Sequence, residues 1–348
     1  MAELADEFAA DHDLRGARAV MWEMITGYRV SQITRVAAAL SLAEHCADGP
    51  VSAEQLARLE STDTDATARF LRACASLGLV EHVAGQGFAA TPLLMALHGD
   101  APGSLRGFAL SLPARGHWRP WGQLLEAVRT GEHQTPGTLG TGLFDYFVTA
   151  PDEAAAFTDG LRGMTSVAGA AAAQVIDTEG VSLAVDVGGA SGDLLHALMR
   201  VNPELSGVVF DLPYAVPDAA AAAVRNLLTD RLLVASGDFF EEVPSGGDLY
   251  LLRYVLHDWD DEKCVRILEN CRRAMRPGGR ILVLEMILGA IGREPGVVPS
   301  QDLNMLVLFG GRERTVGQFD ELFSAAGLRR TAVRETDSPL SVVEAVAR

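Results

Sequence analysis

The order of apolar and polar positions divides the chain into a helical first half and an alternating second half. From about 17 to 98 the apolar residues recur at helical spacing in short units. Ser52-Ala53-Glu54-Gln55 has the form of a capping box, in which the serine and the residue three on satisfy each other's first-turn N–H groups, and so starts a helix. A turn over 61–65 precedes a second helix, 66–77, which Gly78 ends. The segments LVEHV and GFAAT then read as two short strands joined at Gly85-Gln86-Gly87. Together these predict a helix-turn-helix followed by a small β wing.

Residues 101–173 form a mostly helical connector carrying Trp118, Trp121, Phe144, Tyr146, Phe147 and Phe157, aromatics at core or domain-interface spacing. From Val181 onward strands and helices alternate. The strands are predicted at 183–187, 207–210, 232–235, 249–254 and 280–286, with a final pair at 330–335 and 340–346. Helices are predicted at 219–228 and at 261–275, the latter ended by Pro277-Gly278-Gly279. This alternation predicts a doubly wound, Rossmann-like α/β sheet. The link around Asp337-Ser338-Pro339 is too short for a crossover, so the last two strands form an antiparallel hairpin. Three regions follow: a winged-helix-like packing or dimerisation module over 1–100, a helical connector over 101–175 whose aromatics could line a cleft, and an α/β domain over 176–348.

Composition narrows the function. At 348 residues two domains are the natural expectation. With 29 basic and 46 acidic residues the net charge is −17, and Lys263 is the only lysine. That balance argues against nucleic acid and against an anionic membrane surface. The recognition position of the winged helix carries only Arg69 and Arg72 among small and apolar residues, which favours packing over DNA binding. The amino terminus lacks the basic flank and apolar core of a secretory signal, and no apolar run reaches the roughly 18 residues of a membrane span. The four cysteines show no zinc spacing, and Cys264 and Cys271 lie two helical turns apart, too far for a disulfide. Free thiols in a reducing cytoplasm are expected.

The chemistry concentrates between Leu183 and Trp259. The apolar run ending at Val187 stops at Gly188-Gly189-Ala190-Ser191-Gly192, and a helical pattern begins after Asp193. Strand, glycine turn and helix let backbone approach a ligand at the carboxyl end of a parallel sheet. A second strand ends on Asp211, where a ribose-binding carboxylate is expected. A pyrophosphate site would show G-x-G-x-x-G, but Ala190 replaces its middle glycine and Asp193 its last. An acidic helix entrance opposes phosphate and suits an ammonium or sulfonium.

In order and spacing, VDVGGASG, FDLP, GDFF, LHDWDDEKCVRIL, PGGRILVLEMIL and GGRERT, behind the winged-helix module, resemble the class I S-adenosylmethionine (SAM)-dependent small-molecule O-methyltransferases, the caffeate and polyketide-tailoring family with an amino-terminal dimerisation domain. The resemblance covers nearly the whole chain. It implies SAM as cofactor, a homodimer, and a methyl acceptor drawn from secondary metabolism, with no metal. By motif, Gly188 would bring backbone to the methionine part of SAM and Asp211 would accept from the ribose hydroxyls. Asp238 would meet the adenine amino group, Phe239 would cover an adenine face, and Arg253 would face the cofactor where relatives have lysine. His257 matches the general base, with Glu285 and Glu313 as flanking carboxylates, one of which would hold the imidazole. Asp302 and Asn304 would face the acceptor, and Leu161 stands where a methionine is usual. Asp258, Asp260 and Asp261 read as caps of the 261–275 helix. Four other readings stay open: C-methylation of an oxo acid, with or without a metal, a non-methylating SAM-bound tailoring enzyme of the same fold, a SAM- or nucleotide-sensing DNA-binding regulator, and an NAD-linked oxidoreductase, the last opposed by the broken glycine pattern.

Overall fold

The computed structural model describes residues 2–213, 215–289 and 297–348, with side chains from Arg15 onward. The chain divides into two compact units, Met1–Arg115 with Asp152–Gly160, and Gly116–Pro151 with Leu161–Arg348. Among the described residues no helix is long and apolar enough to cross a membrane.

The first unit opens with a single helix, α1 (Ala2–Ala39), where the sequence predicted short units beginning near Ala17. No proline interrupts this stretch. Gly16 and Gly27 lower helix propensity by about 1 kcal/mol each without breaking the ladder. Its apolar residues Val20, Met21, Trp22, Met24, Ile25 and Tyr28 stay exposed. The predicted capping box is formed: Ser52 accepts from Gln55 N–H and starts α2 (Ala53–Glu60). Asp63 caps α3 (Thr64–Ser76), which therefore begins two residues earlier than the apolar pattern suggested. The strands β1 (Val80–Val83) and β2 (Gly87–Ala90) pair antiparallel as the wing. Leu42, Leu56, Leu71, Cys74 and Leu94 fill the core between these elements.

Two glycines then set a helix crossing. The helix α4 (Arg106–Ser111) meets α5 (Pro151–Ala173) where Gly107 lies against the backbone of Ala156 and Gly160. Gly160 in turn lies against the ring and backbone of Phe108. Neither position has room for a Cβ.

The second unit is built on a seven-stranded sheet in the order β5-β4-β3-β6-β7-β9-β8. β3 (Leu183–Val187), β4 (Ser206–Asp211), β5 (Leu232–Ser236), β6 (Leu249–Arg253) and β7 (Arg280–Glu285) run parallel, and β9 (Ser341–Ala347) is antiparallel to β7 and to β8 (Leu328–Glu335). The predicted terminal hairpin is thus present. Alternate side chains of the central strands serve the two faces. Leu249, Leu251, Leu282 and Leu284 meet the end of α5, α6 (Asp193–Val201) and α7 (Val216–Arg225). Tyr250, Leu252, Ile281 and Val283 meet α8 (Asp261–Ala274) and α10 (Val316–Ala325), with α9 (Val298–Leu308) preceding the latter. The helix predicted at 219–228 lies three residues earlier as α7: Pro217 favours its first turn, and Leu227 beyond its end has a φ of 57°. Strand order reverses beside β3, so the carboxyl ends of β3, β4 and β6 border the crevice where such sheets bind ligands.

Gly107→Ala should destabilise the protein by about 1–3 kcal/mol, because the new methyl meets backbone that cannot swing aside. A thermal-unfolding midpoint several degrees below that of the parent checks this, and an unchanged midpoint would contradict the close crossing.

Candidate active site

The loop after β6 is shaped by one residue in an unusual conformation. Tyr254 has a φ of 55°, in the left-handed region that few non-glycine residues adopt. Val255 follows with right-handed angles, and such a pair turns successive N–H groups toward one point. Here the point is Glu285 Oε1, which accepts from Val255 N–H at 3.1 Å and Leu256 N–H at 3.0 Å. Glu285, at the end of β7, therefore anchors the loop that carries the short 3₁₀ turn Leu256–Asp258.

His257 lies in that turn and is 8% exposed. Its Nδ1 bonds Glu313 Oε1 at 2.9 Å, while Glu285 Oε2 lies 3.6 Å from the same nitrogen. Of the two flanking carboxylates, Glu313 holds the ring. Asp258, one of three acids read as helix caps, instead places Oδ1 3.5 Å from Nε2. Asp260 does cap α8, accepting from Lys263 N–H at 2.9 Å. Burial works against a protonated imidazole, but Glu285, Asp258 and the bond to Glu313 outweigh it and push the His257 pKa up to about 10. Burial raises Glu285 to about 7 and Asp258 to about 6, against the pull of the imidazolium.

The segment GGRERT reaches this loop from the other side of the chain. A Cβ on Gly311 would collide with the carbonyl of His257, so only glycine lets the two backbones meet. Arg312 N–H donates to that carbonyl at 2.9 Å. Glu313 N–H donates to Asp302 Oδ1 at 2.9 Å, which ties the His257 partner to α9. Arg314 is 1% exposed and pairs with Asp261 at 2.7 Å. Asn304 on α9 accepts from Trp121 Nε1 at 2.8 Å. Asp302 and Asn304 thus each hold a protein group.

The residues expected on the cofactor side gather at the sheet edge. A Cβ on Gly188 would lie 2.9 Å from Val255 and 3.8 Å from Phe239, and the glycine's φ is 70°. Asp211 accepts from Ala190 N–H at 2.8 Å and Leu212 N–H at 2.7 Å, which fixes the glycine loop and leaves further lone pairs on the carboxylate. Ala190 holds a φ of 47°, in the left-handed region that favours glycine. Asp238 is exposed and accepts from Phe240 N–H at 2.8 Å. Phe239 packs edge-on to Phe240 and Trp259. Arg253 is buried and donates to the carbonyl of Thr165 at 2.9 Å, on the helix that also bears half-buried Leu161.

Three further residues join these. Asp186 is 1% exposed with both oxygens unpartnered by protein, and burial, opposed by Arg253 and aided by Asp211 and Asp193, raises its pKa to about 6. An orphaned buried carboxylate beside Gly188 fits a cationic ligand, as SAM is at its ammonium and sulfonium. The Tyr254 hydroxyl reaches Met164 Sδ at 4.0 Å, and its ring lies 5.5 Å from that of His257. Met164 stands one turn from Leu161 and supplies a thioether sulfur beside the site.

Comparison with known proteins agrees with this geometry. Residues 121–329 match the model of the O-methyltransferase domain, and residues 22–98 that of the O-methyltransferase dimerisation domain. The chain is 37% identical to a phenazine O-methyltransferase of Lysobacter antibioticus over 94% of its own length and 95% of that protein. It is likewise 37% identical to the O-demethylpuromycin-O-methyltransferase of Streptomyces alboniger, covering 95% of this chain and 89% of the relative. The crystal structure of human N-acetylserotonin methyltransferase in complex with SAM superposes with a TM-score of 0.86 at 30% identity, over 95% of this chain and 97% of that one. With an orphaned carboxylate for a cation, a buried imidazole held by Glu313 and both family domains, this chain belongs to the O-methyltransferase family and is a SAM-dependent O-methyltransferase.

Proposed function

We propose that the enzyme methylates a phenolic hydroxyl of a secondary metabolite, with His257 as general base. The observation that carries this reading is the buried Nδ1–Glu313 bond of 2.9 Å. When the ring is neutral, this bond keeps its proton on Nδ1 and leaves the Nε2 lone pair to take the acceptor's proton. Asp258, 3.5 Å from Nε2, stabilises the imidazolium that results. When bound, SAM supplies a methyl group on a sulfonium, open to in-line displacement by an oxygen nucleophile. Gly188 would admit the methionine part, Asp211 would accept from the ribose hydroxyls, Asp238 and Phe239 would take the adenine, and Arg253, bonded to Thr165, would brace the cofactor wall. Asp302, Asn304 and Leu161 belong to the acceptor side, the first two by holding Glu313 and Trp121 in place.

The dimerisation domain and the exposed apolar stripe of α1 support a homodimer, with 1–100 as its module, 101–175 as connector and 176–348 as the catalytic domain. Relatives that act on a phenazine and on O-demethylpuromycin support an acceptor of that chemical class. A cytoplasmic setting suits four free, buried cysteines.

His257, Glu285 and Glu313 each bring one ligand atom within 4.8 Å of the others, which favours a second reading, metal-assisted C-methylation of an oxo acid. The first is preferred because Nδ1 already bonds Glu313 and Glu285 Oε1 serves two N–H groups.

His257→Ala should leave SAM affinity near that of the parent and lower turnover by about 10²- to 10⁴-fold. Asp211→Ala should weaken SAM binding severely in calorimetry, and retained affinity would remove Asp211 from the cofactor site. Incubation with labelled SAM and candidate phenols reads the turnover, and full activity in His257→Ala would end the base assignment.

The base works only when neutral, so turnover should climb with pH along a limb that runs toward about 10, well above the 6.5 of free imidazole. The sign for stability is opposite. A folded pKa raised to about 10 stabilises the fold fully below about pH 6.5, and that stabilisation is lost as pH rises through about 10. Glu313→Gln should move the rate limb to lower pH and reduce its plateau; a limb that stays in place would separate Glu313 from the imidazole.

Dialysis against a chelator should leave methyl transfer unchanged. Loss of activity restored by a divalent cation would favour the metal-assisted reading.

A further inference from the structure

The loop that carries His257 is gripped at both ends by one guanidinium. Arg314 donates from Nη1 to the carbonyl of Leu256 at 2.9 Å, the residue before the histidine. From Nη2 it donates to the carbonyl of Trp259 at 2.8 Å, two residues after it. Nη2 and Nε together hold Asp261 Oδ1 at 2.7 and 3.1 Å, at the first position of α8. Burying a guanidinium costs several kcal/mol in desolvation, and pairing it with a carboxylate repays this only when the remaining donors are satisfied. Here they are spent on the backbone that flanks His257.

Arg314 is also the direct neighbour of Glu313, and Gly311 and Arg312 meet the backbone of His257 itself. One four-residue segment thus fixes the imidazole ring through Glu313, the His257 carbonyl through Arg312, and the carbonyls on either side through Arg314. A displacement of half an ångström at the loop would lengthen the Nδ1–Glu313 bond and swing Nε2 off the line of transfer.

We propose that Arg314 is a positioning residue for His257: its planar fork sets the loop geometry that lets the imidazole face Glu313 on one side and the acceptor on the other. It touches neither substrate nor cofactor in this role and acts through the histidine. Lysine at this position keeps the charge but offers a point donor in place of a fork, so it cannot span Leu256, Trp259 and Asp261 together. The proposal rests on the reading of His257 as base, yet its central readout is independent of turnover.

The test is Arg314→Lys, followed by titration of the ¹⁵N-labelled His257 ring by NMR, with His257→Gln identifying the resonance. Since charge is conserved, only loosened geometry can change the ring's proton affinity relative to Glu285, Glu313 and Asp258. The expected result is a fall of about tenfold or more in His257 proton affinity, moving toward that of free imidazole, with affinity for S-adenosylhomocysteine within about twofold of the parent. An unchanged titration would overturn the proposal and leave Arg314 a purely structural residue. A parallel loss of S-adenosylhomocysteine affinity would overturn it too, as a sign of general disruption. Should Arg314→Lys fail to fold, Asp261→Asn, which alters the solvent-facing partner, is judged by the same two measurements and the same direction. Full turnover in His257→Ala would sink the base assignment without touching either result.

Discussion

The bond between His257 Nδ1 and Glu313 Oε1 is the interaction on which the site depends. A buried imidazole needs its tautomer decided before it can serve as a base, and this contact decides it. The cost of burying both partners is met by a surrounding set of hydrogen bonds: two N–H groups on Glu285, one backbone N–H of Glu313 on Asp302, and the Arg314 fork on the loop carbonyls. Glu313 Oε2 and Glu285 Oε2 make no hydrogen bond to protein, so the cluster keeps acceptor capacity on the Nδ1 side of the ring.

The carboxylates near the sheet edge divide the work by what they face. Asp211 is spent in part on the glycine loop, Asp238 on its own turn, and Asp186 on nothing the protein supplies. An acid left unpaired in an apolar setting is costly, and its pKa rises accordingly until a cation arrives. This arrangement suits a donor that carries positive charge and would repel a pyrophosphate, as the acidic helix entrance already suggested. The left-handed Tyr254 has a comparable place on the other side: its strain is what brings two N–H groups onto Glu285.

Much of this was legible in the sequence. The five parallel strands and the terminal hairpin follow from apolar runs separated by glycine turns and from a link too short to cross over. His257, Glu285 and Glu313 were identified as one constellation from LHDW, LVLEM and GGRERT, and the structure brings all three within 4.8 Å. Less legible were the partners. The acids near His257 looked alike as helix caps, yet Asp260 caps, Asp258 flanks Nε2 and Asp261 holds Arg314. The N-terminal helix ran on through two glycines because nothing in that stretch forbids it, a case in which weak propensity did not mark a boundary.

By itself the sequence determined the periodicities, the caps and the glycine turns, because these are set by neighbours within a few positions, and the order of motifs that resembles the O-methyltransferases. Only the tertiary structure decided which carboxylate holds the imidazole, that Gly311 exists to let two backbones touch, and that Arg314 spends its donors on the histidine loop. These depend on groups more than fifty residues apart meeting at 2.7–2.9 Å, and no local pattern encodes such a meeting.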